Sequence, residues 1–140
     1  MNFNDLLSQP AHDIQEPKAV PPGHYTAIII RQEFGKSTRK QTDYCRYIIK
    51  PISAQPDVDA KALMDSPLTE ETTLRLDYFI TANAVYRLRD FLINVIGLPD
   101  SKPLNELIPQ AVNSTVMIEV SHQLNDKGKA FANISDVARA

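Results

Sequence analysis

Period-two alternation dominates this chain. At residues 73–80, Leu74, Leu76, Tyr78 and Ile80 alternate with Thr73, Arg75, Asp77 and Phe79. The two sets fall on opposite faces of a half-buried strand. At Thr81 the period changes. Val85, Leu88, Leu92 and Val95 recur at helical spacing, and Phe91 and Ile96 widen the stripe. Thr81 caps the predicted helix, Gly97 ends it with a positive φ, and Pro99 follows as a stop. This unit, residues 72–97, carries the one long helix the pattern supports.

The flanking segments read mostly as strands. Residues 24–34 (HYTAIIIRQEF) and 43–50 (DYCRYIIK) are β-branched and aromatic, and the polar loop KSTRKQT joins them as a hairpin. Residues 114–124 and 129–137 form a second pair around the turn Asn125-Asp126-Lys127-Gly128. A short helix is expected over 101–109, with Ser101 as cap, Pro103 near the first turn and Leu104, Leu107 and Ile108 on its apolar face. Residues 51–71, with three prolines and five acidic residues, read as an exposed acidic insertion with one helical turn at 60–64. Its Asp57-Val58-Asp59 lacks the glycine and spaced Glu of a calcium loop. Pro10, Pro17, Pro21 and Pro22 make residues 1–22 an arm, flexible or docked on a partner, ahead of a domain over 23–140.

The order strand, strand, strand, helix, strand, strand predicts a mainly β fold with one main helix. It is the order of a five-stranded OB-like Greek-key barrel, with the helix between strands 3 and 4.

Composition narrows the chemistry. At 140 residues and 43% hydrophobic content, one domain with an ordinary core is expected. Cys45 is the single cysteine, so no intrachain disulfide forms, which fits a reducing cytoplasm. Its apolar neighbours point to a buried, inert thiol. The start MNFNDLLSQP lacks the pattern of a signal peptide, and no apolar run has membrane-spanning length. His12, His24 and His122 are scattered, and the four glycines form no phosphate loop. The expectation is therefore a protein that is not an enzyme, with no metal and no cofactor.

Charge placement is more informative. The net charge is −2, yet residues 31–50 carry six basic and two acidic residues, a net of +4, and residues 51–77 carry a net of −4. On an OB-like barrel the strand 2–3 face and the loops joining strands 1–2 and 4–5 hold oligonucleotides. Those places contain Lys36, Arg39, Lys40, Tyr44, Arg46, Tyr47, Arg75, Phe79, Lys127 and Lys129. Cations there would meet phosphates and flat rings would stack on bases. Tyr44 and Tyr47 are three apart and point to opposite faces, so one belongs to the core.

The stretches PPGHYTAIIIRQEFGKS, LRLDYFITANAVYRLRDFLINVIGLP and STVMIEVSHQLNDKGKAFANIS together resemble bacteriophage single-stranded DNA-binding proteins of OB type. The shared outline is Pro21, Gly23 and Tyr25 opening strand one, a polar hairpin, the unit from Phe79 to Gly97, and a last strand with Asn133 and Ile134. The resemblance covers residues 21–137 and rests on layout. It implies non-catalytic binding of single-stranded DNA in phage replication or recombination, as a homo-oligomer, with a phage replication protein or host protein as a further partner. The chain departs from such proteins in having no acidic C-terminal tail to recruit partners. The alternative is a phage structural or adaptor β-barrel that assembles through the arm at 1–22.

Overall fold

A computed structural model describes residues 3–13 and 19–140. The fold is mainly β, with a few short helices. Five strands, β1 (Gly23–Lys36), β2 (Asp43–Ala54), β3 (Leu74–Phe79), β4 (Thr115–Leu124) and β5 (Ala130–Arg139), form one antiparallel sheet in the order β3-β2-β1-β4-β5. Among the described residues four short α-helices accompany it: α1 (Phe3–Leu7), α2 (Ala60–Asp65), α3 (Val85–Asp90) and α4 (Leu104–Leu107).

The sheet is not closed into a barrel, which corrects the expected closure. Its edge strands β3 and β5 approach each other but share no hydrogen-bonded ladder. An open groove of about 710 Å³, lined in part by Thr72, Leu74, Lys129 and Phe131, lies where both strands begin.

The alternating residues of each strand supply the core as the pattern requires. Tyr25, Ala27 and Ile29 of β1, Cys45, Tyr47 and Ile49 of β2, and Val116, Ile118 and Val120 of β4 are buried. Leu88, Phe91 and Leu92 close over them from the segment after β3. Burying each large apolar side chain contributes about 1.5–3 kcal/mol. Phe91 is the hub, with ring centroids 5.3 Å from Tyr47 and 5.2 Å from Tyr78.

The single long helix expected from residue 81 is instead two pieces. Thr81 does close its start, accepting the Ala84 N–H on its hydroxyl and the Val85 N–H on its carbonyl. After α3 the chain widens into a π-helical turn, Phe91–Val95, closed by the Ile96 N–H on the Phe91 carbonyl. Gly97 then takes φ +88°, which an L side chain rarely adopts. The cap expected at Ser101 is replaced by Pro103, which opens α4 without a side-chain hydrogen bond.

β2 runs past the expected end at Lys50, through Pro51. A proline lacks the N–H a ladder needs, and it is tolerated here beside a register shift, opposite Ala27. β3 pairs with β2 only as far as Ile49, so Pro51 faces no second partner there.

The acidic segment is tied down. Val58 is buried against Gly23. Asp59 caps α2 by accepting the Lys61 and Ala62 N–H groups. Asp57 accepts the His24 backbone N–H and meets the His24 ring at 2.6 Å. Packed chain also begins ahead of the expected start at Gly23. Val20 and Pro21 are buried, Tyr25 donates its hydroxyl to the Pro21 carbonyl, and His122 Nε2 donates to the Val20 carbonyl. The rest of the expected arm falls partly at residues 1–2 and 14–18, outside the described residues.

Candidate nucleic-acid interface

β1, β2 and β3 turn their second set of alternating residues to the side opposite Tyr47 and Ile49, where Ile48 is buried and the others are half-buried or exposed. Register aligns these residues in rows across the three strands: Gly35, Tyr44 and Phe79; Glu33, Arg46 and Asp77; Arg31, Ile48 and Arg75. Cross-strand partners share a face and touch. Phe79 is 48% exposed there, beside half-buried Tyr44.

The Tyr44 ring lies against Gly35 so closely that a Cβ at residue 35 would run into it. The Arg46 guanidinium sits 4.6 Å from the ring centroid, a cation–π contact. Arg46 is itself held by Asp77 through two bonds of 2.7 and 3.0 Å, with Glu33 at 3.9 Å. The Asp77 hydrogen bond pushes the Arg46 pKa further up. Arg46 is thus already paired with carboxylates, and its geometry suits it to fixing Tyr44 rather than to meeting phosphate.

The β1–β2 tip stands at the Phe79 end of this face, where the Ile80 N–H donates to the Asp43 carbonyl. Ser37 and Thr42 close it through backbone and hydroxyl bonds, and Gln41 takes φ +53°. Lys36 pairs with Asp43 at 3.4 Å. Arg39 and Lys40 are exposed on the tip, and among the described residues neither makes an ion pair. The β4–β5 tip stands by the other end of β3, across the groove, and carries Lys127 and Lys129. Asn125 Oδ1 accepts both of their backbone N–H groups. The 6 residues of β3 lie between the two tips, about 20 Å at 3.3 Å per residue.

Of the ten sequence-predicted residues, nine lie on this face or its flanking tips. Tyr47 does not, and that expectation is corrected. It is fully buried, its hydroxyl donates to the Ile108 carbonyl at 2.9 Å, and burial raises its pKa. The split between Tyr44 and Tyr47 follows the three-residue spacing. Sequence reasoning missed Gly35, Glu33 and Asp77. A glycine inside a strand signals close approach of a neighbour, and Gly35 was readable in that way. Cys45 is buried and accepts from Gln32 Nε2 at 3.5 Å; burial pushes its thiol pKa up.

No protein-family model matches this chain, and no curated protein matches it. Among the described residues no helix is long and apolar enough to cross a membrane.

Proposed function

We propose that this chain binds single-stranded nucleic acid, without catalysis, on the outward face of β2 and β3. The observation that carries the reading is the exposed Phe79 ring, opposite Tyr44 on the outward side of β2 and β3 and next to a tip bearing Arg39 and Lys40. Stacking needs an exposed ring and a strand backbone needs cations; Phe79 of β3 and the adjoining β1–β2 tip supply the two. Lys36 sits at the strand end beside the tip, Arg75 lies two rows from Phe79 on the same face, and Lys127 and Lys129 stand across the groove from the other end of β3. The strand order β3-β2-β1-β4-β5, with the helical segment between β3 and β4, supports an OB-like relationship for this open sheet. DNA, a phage replication or recombination setting in a host cytoplasm, and a second copy of the chain as partner belong to the same proposal through the resemblance.

Ultraviolet crosslinking of the protein to oligo-dT, followed by peptide mass spectrometry, tests the placement. The reading expects crosslinks on Tyr44 and Phe79. Crosslinks confined to other elements would refute the assigned face.

A further inference from the structure

The outward rows of the sheet continue one step past Arg75. After Arg31, Ile48 and Arg75 comes the pair Ile28 and Lys50. The register shift in this stretch lies on β1, so β2 keeps strict alternation from Tyr44 through Arg46 and Ile48 to Lys50. β3 has no residue in that row, because its ladder with β2 ends at Leu74 and Ile49. The chain just ahead of β3 comes to Lys50 instead. Thr69 and Thr72 close a turn around Glu70. The Thr72 N–H donates to the Thr69 carbonyl at 3.1 Å, the Thr69 N–H to Thr72 Oγ1 at 2.9 Å and the Glu71 N–H to Thr69 Oγ1 at 3.2 Å. Leu68 seats the turn against the core. From this turn Glu70 reaches Lys50, whose ammonium donates to Glu70 Oε2 at 2.5 Å. An open hollow of about 560 Å³ beside the pair is lined in part by Ile28, Ile52 and Leu68.

A carboxylate offers an ammonium what a phosphate offers, negative charge on acceptor oxygens. The bond to Lys50 lowers the Glu70 pKa, so Glu70 is charged in the neutral range. The carboxylates in the rows between are fixed within the sheet: Asp77 and Glu33 hold Arg46 and Arg31 from the strands themselves. Glu70 stands on a turn outside the ladder, and rotation of its side chain alone releases Lys50. Its side chain is 92% exposed, and an ion pair so open to water is weak and screened by salt. From Tyr44 to Lys50 β2 runs about 20 Å at about 3.3 Å per residue. A strand already stacked on Phe79 presents its next phosphates there at high local concentration. Given binding along the β2–β3 face, on which this rests, we propose that Lys50 is a further phosphate-binding residue at the end of that face. Glu70 occupies it until a phosphate of the bound single strand takes its place.

Anisotropy titrations of labelled oligo-dT with the full chain, over a series of salt concentrations, test this. Wild type, Glu70→Gln, Lys50→Gln and the double variant Lys50→Gln/Glu70→Gln are compared, with Glu71→Gln as a neighbouring exposed carboxylate that does not hold Lys50. Glu70→Gln is expected to tighten binding about three-fold and to steepen the fall of log affinity with log salt by about 0.7, the effect of one added phosphate contact. With Lys50→Gln in place, the same change is expected to give no more than Glu71→Gln gives. No tightening by Glu70→Gln, or equal tightening with and without Lys50, would overturn the proposal. In that case Phe79→Ala decides the face: weakened binding keeps the β2–β3 assignment standing. Failure of both wild type and Glu70→Gln to bind at low salt would overturn the two together.

Discussion

Tyr44 and Phe79 stand directly opposite each other on β2 and β3, on the face that the core leaves to solvent. Three residues from Tyr44, Tyr47 is sealed beneath the same sheet against Phe91. The two tyrosines of one strand therefore have separable roles.

Phe79→Ala removes an exposed ring. It is expected to weaken oligo-dT binding by about 1–3 kcal/mol while barely changing the melting temperature. Tyr47→Phe does the reverse. It leaves the buried Ile108 carbonyl without its donor and costs about 1–2 kcal/mol of stability, with oligo-dT affinity unchanged. Anisotropy titrations and thermal melts on the two variants check the contrast.

Gly35→Ala tests the Tyr44 seat. The added methyl meets the outer end of the Tyr44 ring, so the ring swings aside and its contact with Arg46 loosens. The expected result is a folded protein whose melting point shifts by only a few degrees, about 1 kcal/mol, with weakened binding. Unchanged affinity would detach the Tyr44 seat from binding.

The contact between His24 and Asp57 sets a pH dependence. The hydrogen bond to Asp57 pushes the His24 pKa above its ordinary value, with Glu119 and Asp136 adding to it, and the same bond lowers that of Asp57. The His24 contribution is complete below its unfolded pKa of about 6.5 and is lost as pH rises through the raised folded value. The Asp57 contribution is complete above its unfolded pKa of about 3.9 and is lost as pH falls through the lowered folded value. The pair therefore stabilises most between those two ordinary values. The melting-temperature difference between wild type and His24→Asn is expected to peak in that window and shrink on both sides. A difference that grew above it would contradict the assignment.

Cys45 is buried and its thiol pKa is raised, so little thiolate forms near neutral pH. An aromatic disulfide reagent is expected to leave it unmodified in the folded protein and to label it once denaturant unfolds the chain. Rapid labelling without denaturant would contradict its placement.

The strands were legible because burial on one face leaves a period of two, and that pattern placed Tyr44 and Tyr47 on opposite sides. The Asn125–Gly128 turn and the Gly97 terminus were legible because each needs a specific backbone conformation, seen here as φ +76° at Gly128 and +88° at Gly97. Barrel closure was not legible. It depends on whether β3 and β5, some fifty residues apart in the chain, come within hydrogen-bonding distance, and no local pattern encodes that. The π-helical turn at Phe91–Val95 was hidden because its apolar residues fit an ordinary helical stripe equally well. Pro51 argued for a strand end, and only the register shift beside it makes room for it within β2. On the candidate face the charges were visible, but the pairing of Arg46 with Asp77 required the register of two strands that are distant in sequence.

The most direct test of the central claim is fluorescence anisotropy of a labelled oligo-dT of about 30 nucleotides, long enough for more than one site. It is titrated at low and moderate salt beside a duplex of equal length. The account predicts micromolar or tighter binding to the single strand, weaker binding to duplex, and a steep loss of affinity as salt rises. No binding at low salt, where the attraction of Arg39 and Lys40 for phosphate is least screened, would contradict it.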